Sequence, residues 1–158
     1  MNTSLIKRFC IFILISIAVS CSSDDDTAAD NNIPNEISIT DEILKLVNEY
    51  RQSKNLPALQ KNETAEQLAI DHTRHMISQG IIGHDNFEDK FNTLKEKENA
   101  TGIAENVASG QNSAQSVVTS WINSPPHRKN MEGNYTHIGI AAIKDEKGKY
   151  YYTQIFYR

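Results

Sequence analysis

With 158 residues and a formal net charge of −4, the chain has room for one domain with a substantial core and is too short for two comfortable ones. Its 16 Lys and Arg stand against 20 Asp and Glu, so no basic face is available for nucleic acid.

Lys7 and Arg8 precede the apolar run Phe9 to Ser20 (FCIFILISIAVS), which closes on small residues before Cys21. That order of charged, apolar and small segments is the pattern of a secretory signal over residues 1–20. The run is 12 residues long, short of the ~20 that a membrane-spanning helix needs. Cys10 would leave with the signal, so Cys21 would be the single thiol of the exported chain and no internal disulfide could form. An unpaired cysteine there is either a spare thiol of a secreted protein or a modified one. The segment IAVSC resembles the lipobox of bacterial lipoproteins, with Ala18 where leucine is usual, which implies acylation of Cys21 and attachment to a membrane.

Residues 21–40 hold Asp24, Asp25, Asp26, Asp30 and Glu36 and no cation, and this polar, self-repelling stretch is expected to be a disordered tether. Its serine-plus-acid start resembles the signal that sends Bacteroidetes lipoproteins to the outer cell surface, so the expected location is an outer membrane or cell surface. Residues 41–158 carry 14 cations against 15 acids and form the domain proper.

Within that domain, Thr40 with Asp41 and Glu42 predicts a helix start, because a side-chain oxygen caps free amides and acids suit the positive helix end. Ile43, Leu44, Val47 and Tyr50 supply its apolar stripe. Leu56, Pro57 and Leu59 read as a loop. A second helix is expected from about Ala65 to Gln79, with Ala65, Leu68, Ala69, His72 and Met76 inward and Gly80 as its stop. Ala114, Val117, Val118 and Trp121 mark a third, ended by Pro125. THIGIAAI and YYYTQIFY flank the polar turn KDEKGK as an antiparallel hairpin, which a short strand at Glu105 to Ala108 could join. Several helices with a small sheet and no βαβ alternation define an α+β fold.

LVNEYRQSKNLPAL, AEQLAIDHTRHM, GHDNF, AENVASG, SWINSPPHRKNM, HIGIAAI and YYTQIF follow one another in the order and spacing of the CAP superfamily, over about residues 41–157. The chain therefore resembles the cysteine-rich secretory, antigen 5 and pathogenesis-related proteins and their bacterial SCP-like branch. The resemblance implies an α-β-α sandwich with a three-stranded antiparallel sheet between helices. It also implies a cleft of two histidines and two acids: His84, Glu105 and His127 match three of these, and Ser124 stands where eukaryotic members have an acid.

On their own, His84 is equally readable as an exposed loop histidine, His127 as part of a helix-terminal turn, and Glu105 as a buried structural carboxylate. Burial would raise the pKa of Glu105 and a neighbouring cation would lower it. Pro126 fixes φ near −65°, so the approach to His127 needs no positive φ. His72 reads as a hydrogen-bonded core residue, since HTRH lacks the i, i+4 spacing and the glutamate of the zinc-protease helix. His137 has no assigned role, and no G-x-S-x-G motif is present.

Two neutral imidazoles, His84 and His127, suit a weakly held, exchangeable zinc, because catalytic zinc usually takes three protein ligands and structural zinc four. The expected function is a surface-anchored binding module for a small-molecule, lipid or envelope ligand, acting as a monomer, with its membrane contact through Cys21. The alternative is a metal-assisted hydrolase of peptides or envelope material with Glu105, His84 and His127 as the catalytic set; a third reading makes the cleft a structural remnant.

Overall fold

The computed structural model describes residues 38–158, and the expected signal segment, Cys21 and the expected tether up to residue 37 lie outside them. Ser38 opens the first helix, α1 (Ile39–Ser53): its hydroxyl oxygen accepts from the Asp41 amide at 3.2 Å. The cap is thus Ser38 and not Thr40, and the helix begins inside the stretch expected to be tether. Serine satisfies an orphan amide as threonine would, so sequence alone left the two as competitors. Ile43 and Val47 are fully buried on the inner stripe of α1.

A two-residue strand, β1 (Gln60–Lys61), follows where only a loop was expected. Helix α2 (Glu63–Gln79) is capped by the Asn62 side chain and stopped by Gly80, whose φ of 70° is open to glycine without strain. Helix α3 (Phe87–Glu98) was not anticipated. Strand β2 (Ile103–Ser109) extends the expected short strand at both ends. Helix α4 (Ala114–Asn123) buries Ala114, Val117, Val118 and Trp121, the stripe read from their spacing.

Ser124 then serves both as the last cap of α4 and the first cap of α5 (Pro125–Met131). The two prolines are the first two residues of α5, where their missing N–H groups would be unpaired in any case. The segment around His127 is a short helix, not a bare turn. Strands β3 (His137–Lys144) and β4 (Tyr150–Tyr157) complete the chain as the expected hairpin.

The sheet has four strands in the order β1-β3-β4-β2. β3 pairs antiparallel with β4, and β4 with β2, while β1 adds a short parallel pairing to β3. This corrects the expected three-stranded, purely antiparallel sheet, since a two-residue strand carries no readable alternation. The α+β class and the sandwich arrangement stand.

The layers follow from side-chain alternation along the strands. Ile138, Ile140, Tyr152 and Phe156 pack against Ile43, Val47 and Trp121 of α1 and α4. Ala141, Ile155 and Tyr157 pack on the other face against Ala65 and Ala69 of α2. At Gly139 a Cβ would lie 2.0 Å from the Ala65 carbonyl carbon, so the bare glycine lets the backbone of α2 rest directly on β3. β2 is left as the sheet edge that borders α5.

Candidate functional site

Alternation along β2 divides its side chains between the two faces of the sheet. Ile103 and Val107 pack with residues of α2, which puts Glu105 on that face, whereas Ala104 and Ala108 join the α1–α4 core together with the buried Asn106. The site is built around this edge.

On the α2 face, the Glu105 side chain is 1% exposed and surrounded by cationic or protonatable partners. Oε1 accepts from His84 Nδ1 at 2.8 Å and lies 3.5 Å from His72 Nε2. Oε2 is in contact with the Lys90 ammonium, itself buried. A buried carboxylate needs such pairing, and without it several kcal/mol of desolvation would go uncompensated. Burial holds the Lys90 pKa below the usual lysine value, although Glu105 pulls in the opposite direction. Burial likewise lowers the His72 pKa, against the attraction of Glu105.

The loop that carries His84 is tied on both sides of it. His72 Nε2 donates to the Gly83 carbonyl at 2.8 Å, and Lys90 Nζ donates to the Asp85 carbonyl at 3.0 Å. His75 Nε2 adds a contact of 3.1 Å to the Asp85 carboxylate. His84 itself is 55% exposed, so its ring is oriented by Glu105 while its other nitrogen, Nε2, stays open to ligands.

On the α5 face, Asn106 is 0% exposed. Its Nδ2 donates to the His127 carbonyl at 3.2 Å and to Gln154 Oε1 at 3.2 Å. Asn130 Nδ2 donates back to Asn106 Oδ1 at 2.9 Å and to the Glu105 carbonyl at 3.1 Å. His127 Nδ1 pairs with Ser124 Oγ at 2.8 Å. Burial lowers the His127 pKa, and repulsion between the two imidazolium forms of His127 and His84 acts in the same direction.

The four expected cleft residues thus form two contacting pairs, His84 with Glu105 and Ser124 with His127, joined through the asparagines astride β2. Ser124 acts as a hydrogen-bond partner of His127. Lys90, Asn106 and Asn130 were not singled out from sequence. Asn106 had a usable signal, since it alternates with Ala104 and Ala108 on an inward face; Lys90 had none, because its helix was not read.

Among the described residues, no group of three or more His, Cys, Asp or Glu side chains is placed to hold a metal ion. Glu105 is committed to Lys90 and two histidines, which leaves the Nε2 atoms of His84 and His127 as the available donors. A cavity of about 220 Å³ adjoins His127 and is lined also by Ile82, Val107, Ser109, Gln111 and Trp121.

A helix-sheet-helix sandwich whose edge strand carries this His/Glu cleft is the arrangement of a CAP domain. The chain belongs to the Cysteine-rich secretory protein (CAP) family, whose sequence pattern matches residues 44–156. It is 30% identical over 129 residues to Bacillus subtilis YkwD, spanning 76% of this chain and 49% of that protein. It is 29% identical over 121 residues to the B. subtilis membrane protein YlbC, spanning 73% of this chain and 33% of that protein. The chain thus covers half or less of the curated relatives it matches.

Among solved structures, an SCP-domain extracellular protein of Bacillus anthracis superposes with a TM-score of 0.65 at 26% identity, covering 76% of this chain and 40% of that one. An outer surface protein of Borrelia burgdorferi shares the fold at a TM-score of 0.67 and 22% identity, covering 77% of this chain and 96% of that one.

Proposed function

We propose that this CAP domain is an extracytoplasmic binding module, anchored through acylated Cys21, whose cleft of His84, Glu105, Ser124 and His127 takes a ligand and binds zinc weakly through His84 and His127. The observation that carries it is the commitment of Glu105: a carboxylate 1% exposed and paired with Lys90 orients His84 and is poorly placed to take a proton from water. Each histidine has its Nδ1 engaged, by Glu105 or by Ser124, which favours ligation through Nε2. Two imidazoles leave most of the coordination sphere to water, so micromolar or weaker affinity follows. The outer-surface and extracellular character of similar proteins supports the location.

The rival, a metal-assisted hydrolase, draws on the 2.8 Å His84–Glu105 contact, which has the geometry of a base and its orienting partner. Zinc titration by calorimetry, with unfolding curves to confirm each variant's fold, separates the two. One weak site lost in both His84→Ala and His127→Ala, with no hydrolysis of peptide, ester or envelope substrates, supports the binding module. Zinc-dependent hydrolysis that disappears in Glu105→Gln while zinc still binds makes it an enzyme. Retention of full zinc affinity in the histidine variants removes the shared metal site. For the anchor, Cys21→Ala should move the protein from the membrane to the soluble or secreted fraction, and equal partitioning would refute acylation.

A further inference from the structure

The outer edge of β2 carries hydrogen-bonding groups that the sheet does not use. Gly110 N donates to the Tyr150 carbonyl, and Gly102 and Arg158 exchange backbone bonds, so the even-numbered residues of β2 face β4. In an antiparallel ladder the alternate residues turn their N–H and C=O groups the other way. Those of Glu105, Val107 and Ser109 therefore point out of the sheet. Two of the outward carbonyls are taken: Asn130 Nδ2 donates to that of Glu105, and Trp121 Nε1 to that of Val107 at 3.3 Å. The Val107 and Ser109 amides acquire no such partner among the described residues, and both residues line the cavity beside His127.

The other walls of the cavity narrow the choice of occupant. Gln111 contributes a buried Oε1 that has no hydrogen-bond partner among the described residues. Ile82 is 46% exposed at the mouth, next to Ile81 at 68%, and among the described residues they are the two large hydrophobic residues most open to water. Among the described residues no carboxylate lines the cavity, and the one ionisable group that does, His127, is neutral or cationic. A suitable ligand therefore brings hydrogen-bond acceptors for two amides, a donor for Gln111 and an aliphatic group for Ile82 and Trp121, and carries no net positive charge.

We infer that the cleft binds an extended peptide, laid against the Val107–Ser109 edge of β2 with one aliphatic side chain in the cavity. The inference rests on the binding-module reading and names its ligand class. Spacing favours a peptide over a fatty acid: outward amides two residues apart are separated by about 7 Å, the repeat of alternate carbonyls in an extended chain. One carboxylate headgroup reaches only one of them and offers Gln111 no donor. The volume of about 220 Å³ also falls below the ~300–1,000 Å³ of pockets that enclose a drug-sized ligand, so it admits a side chain and leaves the backbone outside.

The test uses 15N-labelled chain carrying Cys21→Ala, titrated with N-acetylated, C-amidated hexapeptides bearing Leu or Val at alternate positions. Matched peptides with Asp at those positions, and dodecanoate, serve as comparators. The expected result is a downfield shift of the Val107 and Ser109 amides, at least tenfold slower hydrogen exchange at both, and at least tenfold weaker binding of the Asp peptides. Ile82→Ser, a change at an exposed position that adds no charge or metal-ligating carboxylate, should weaken the Leu peptides at least tenfold while leaving unfolding unchanged. Leu peptides that perturb neither amide overturn the peptide site. Dodecanoate producing the shifts in their place overturns it too, yet leaves a binding module with a lipid ligand. Silence of peptide, dodecanoate and zinc alike would defeat both inferences.

Discussion

The side-chain amide of Asn106, wholly buried in β2, donates to the main-chain carbonyl of His127 at 3.2 Å. Asn130 completes the exchange by donating from α5 to the Glu105 carbonyl at 3.1 Å. These bonds fix the edge strand to the helix that carries the second histidine, so the separation of His84 and His127 depends on two asparagines that need touch no ligand.

Asn106→Ala should accordingly act on stability and on the site together. Each buried group left without a partner costs about 1–3 kcal/mol, and Asn106 engages His127, Gln154 and Asn130. A loss of about 2–4 kcal/mol in urea unfolding is expected, with zinc affinity at least tenfold weaker in the folded protein. Wild-type zinc affinity in a folded Asn106→Ala variant would show that β2 does not position His127.

Arg51 plays a structural part at the far end of α5. It is 1% exposed and donates to the carbonyls of Pro57 at 2.9 Å, Met131 at 2.7 Å, Gly133 at 2.9 Å and Tyr135 at 3.3 Å. Arg51→Ala should cost at least about 3 kcal/mol by orphaning several of these acceptors. Arg51→Lys should recover less than half, since one ammonium cannot reproduce the guanidinium fork. Equal stability of the Lys variant and wild type would contradict that assignment.

Gly139→Ala tests the packing of α2 on β3. The added carbon would meet the Ala65 carbonyl carbon at 2.0 Å and the Glu66 amide nitrogen at 2.2 Å, both backbone atoms that no rotamer change can move. Destabilisation beyond about 4 kcal/mol, or failure to accumulate soluble protein, is expected. A variant within about 1 kcal/mol of wild type, by thermal or denaturant unfolding, would disprove the direct contact.

Acid should destabilise the domain through its buried imidazoles. Burial depresses the His72 and His127 pKa values below 6.5. Below that value the unfolded chain takes up protons that the folded form resists, so the contribution is fully present above pH 6.5 and is lost as pH falls through the depressed folded values. Urea unfolding measured from about pH 7.5 to about pH 5 should show falling stability. His72→Gln, which keeps a donor for the Gly83 carbonyl, should flatten the slope; an unchanged slope would absolve His72.

Much of this architecture was readable before folding. The stripes of α1, α2 and α4 and the hairpin of β3 and β4 repeat cleanly enough to be seen, and GHDNF, AEN and SPPHR supplied His84, Glu105 and His127 in family order. Helix α3 escaped because its inward face includes Lys90, a residue type that signals solvent unless its carboxylate partner is known. Helix α5 escaped because two prolines read as an end as readily as a beginning. The union of the two halves of the cleft was illegible for a different reason: Asn106 and Asn130 cross between them through bonds to the backbone carbonyls of His127 and Glu105, which carry no sequence signature.

The burial of Glu105, Lys90 and Asn106 has an evolutionary corollary. A library of random variants screened for folding alone would return these three almost unchanged, because each holds the domain together whether or not a ligand ever arrives. His84 and Ile82, both open to water, have far less to lose under such a screen and would drift. Selection for ligand capture therefore leaves its clearest imprint at the two exposed positions, and deep mutational scanning under the two regimes would diverge there first.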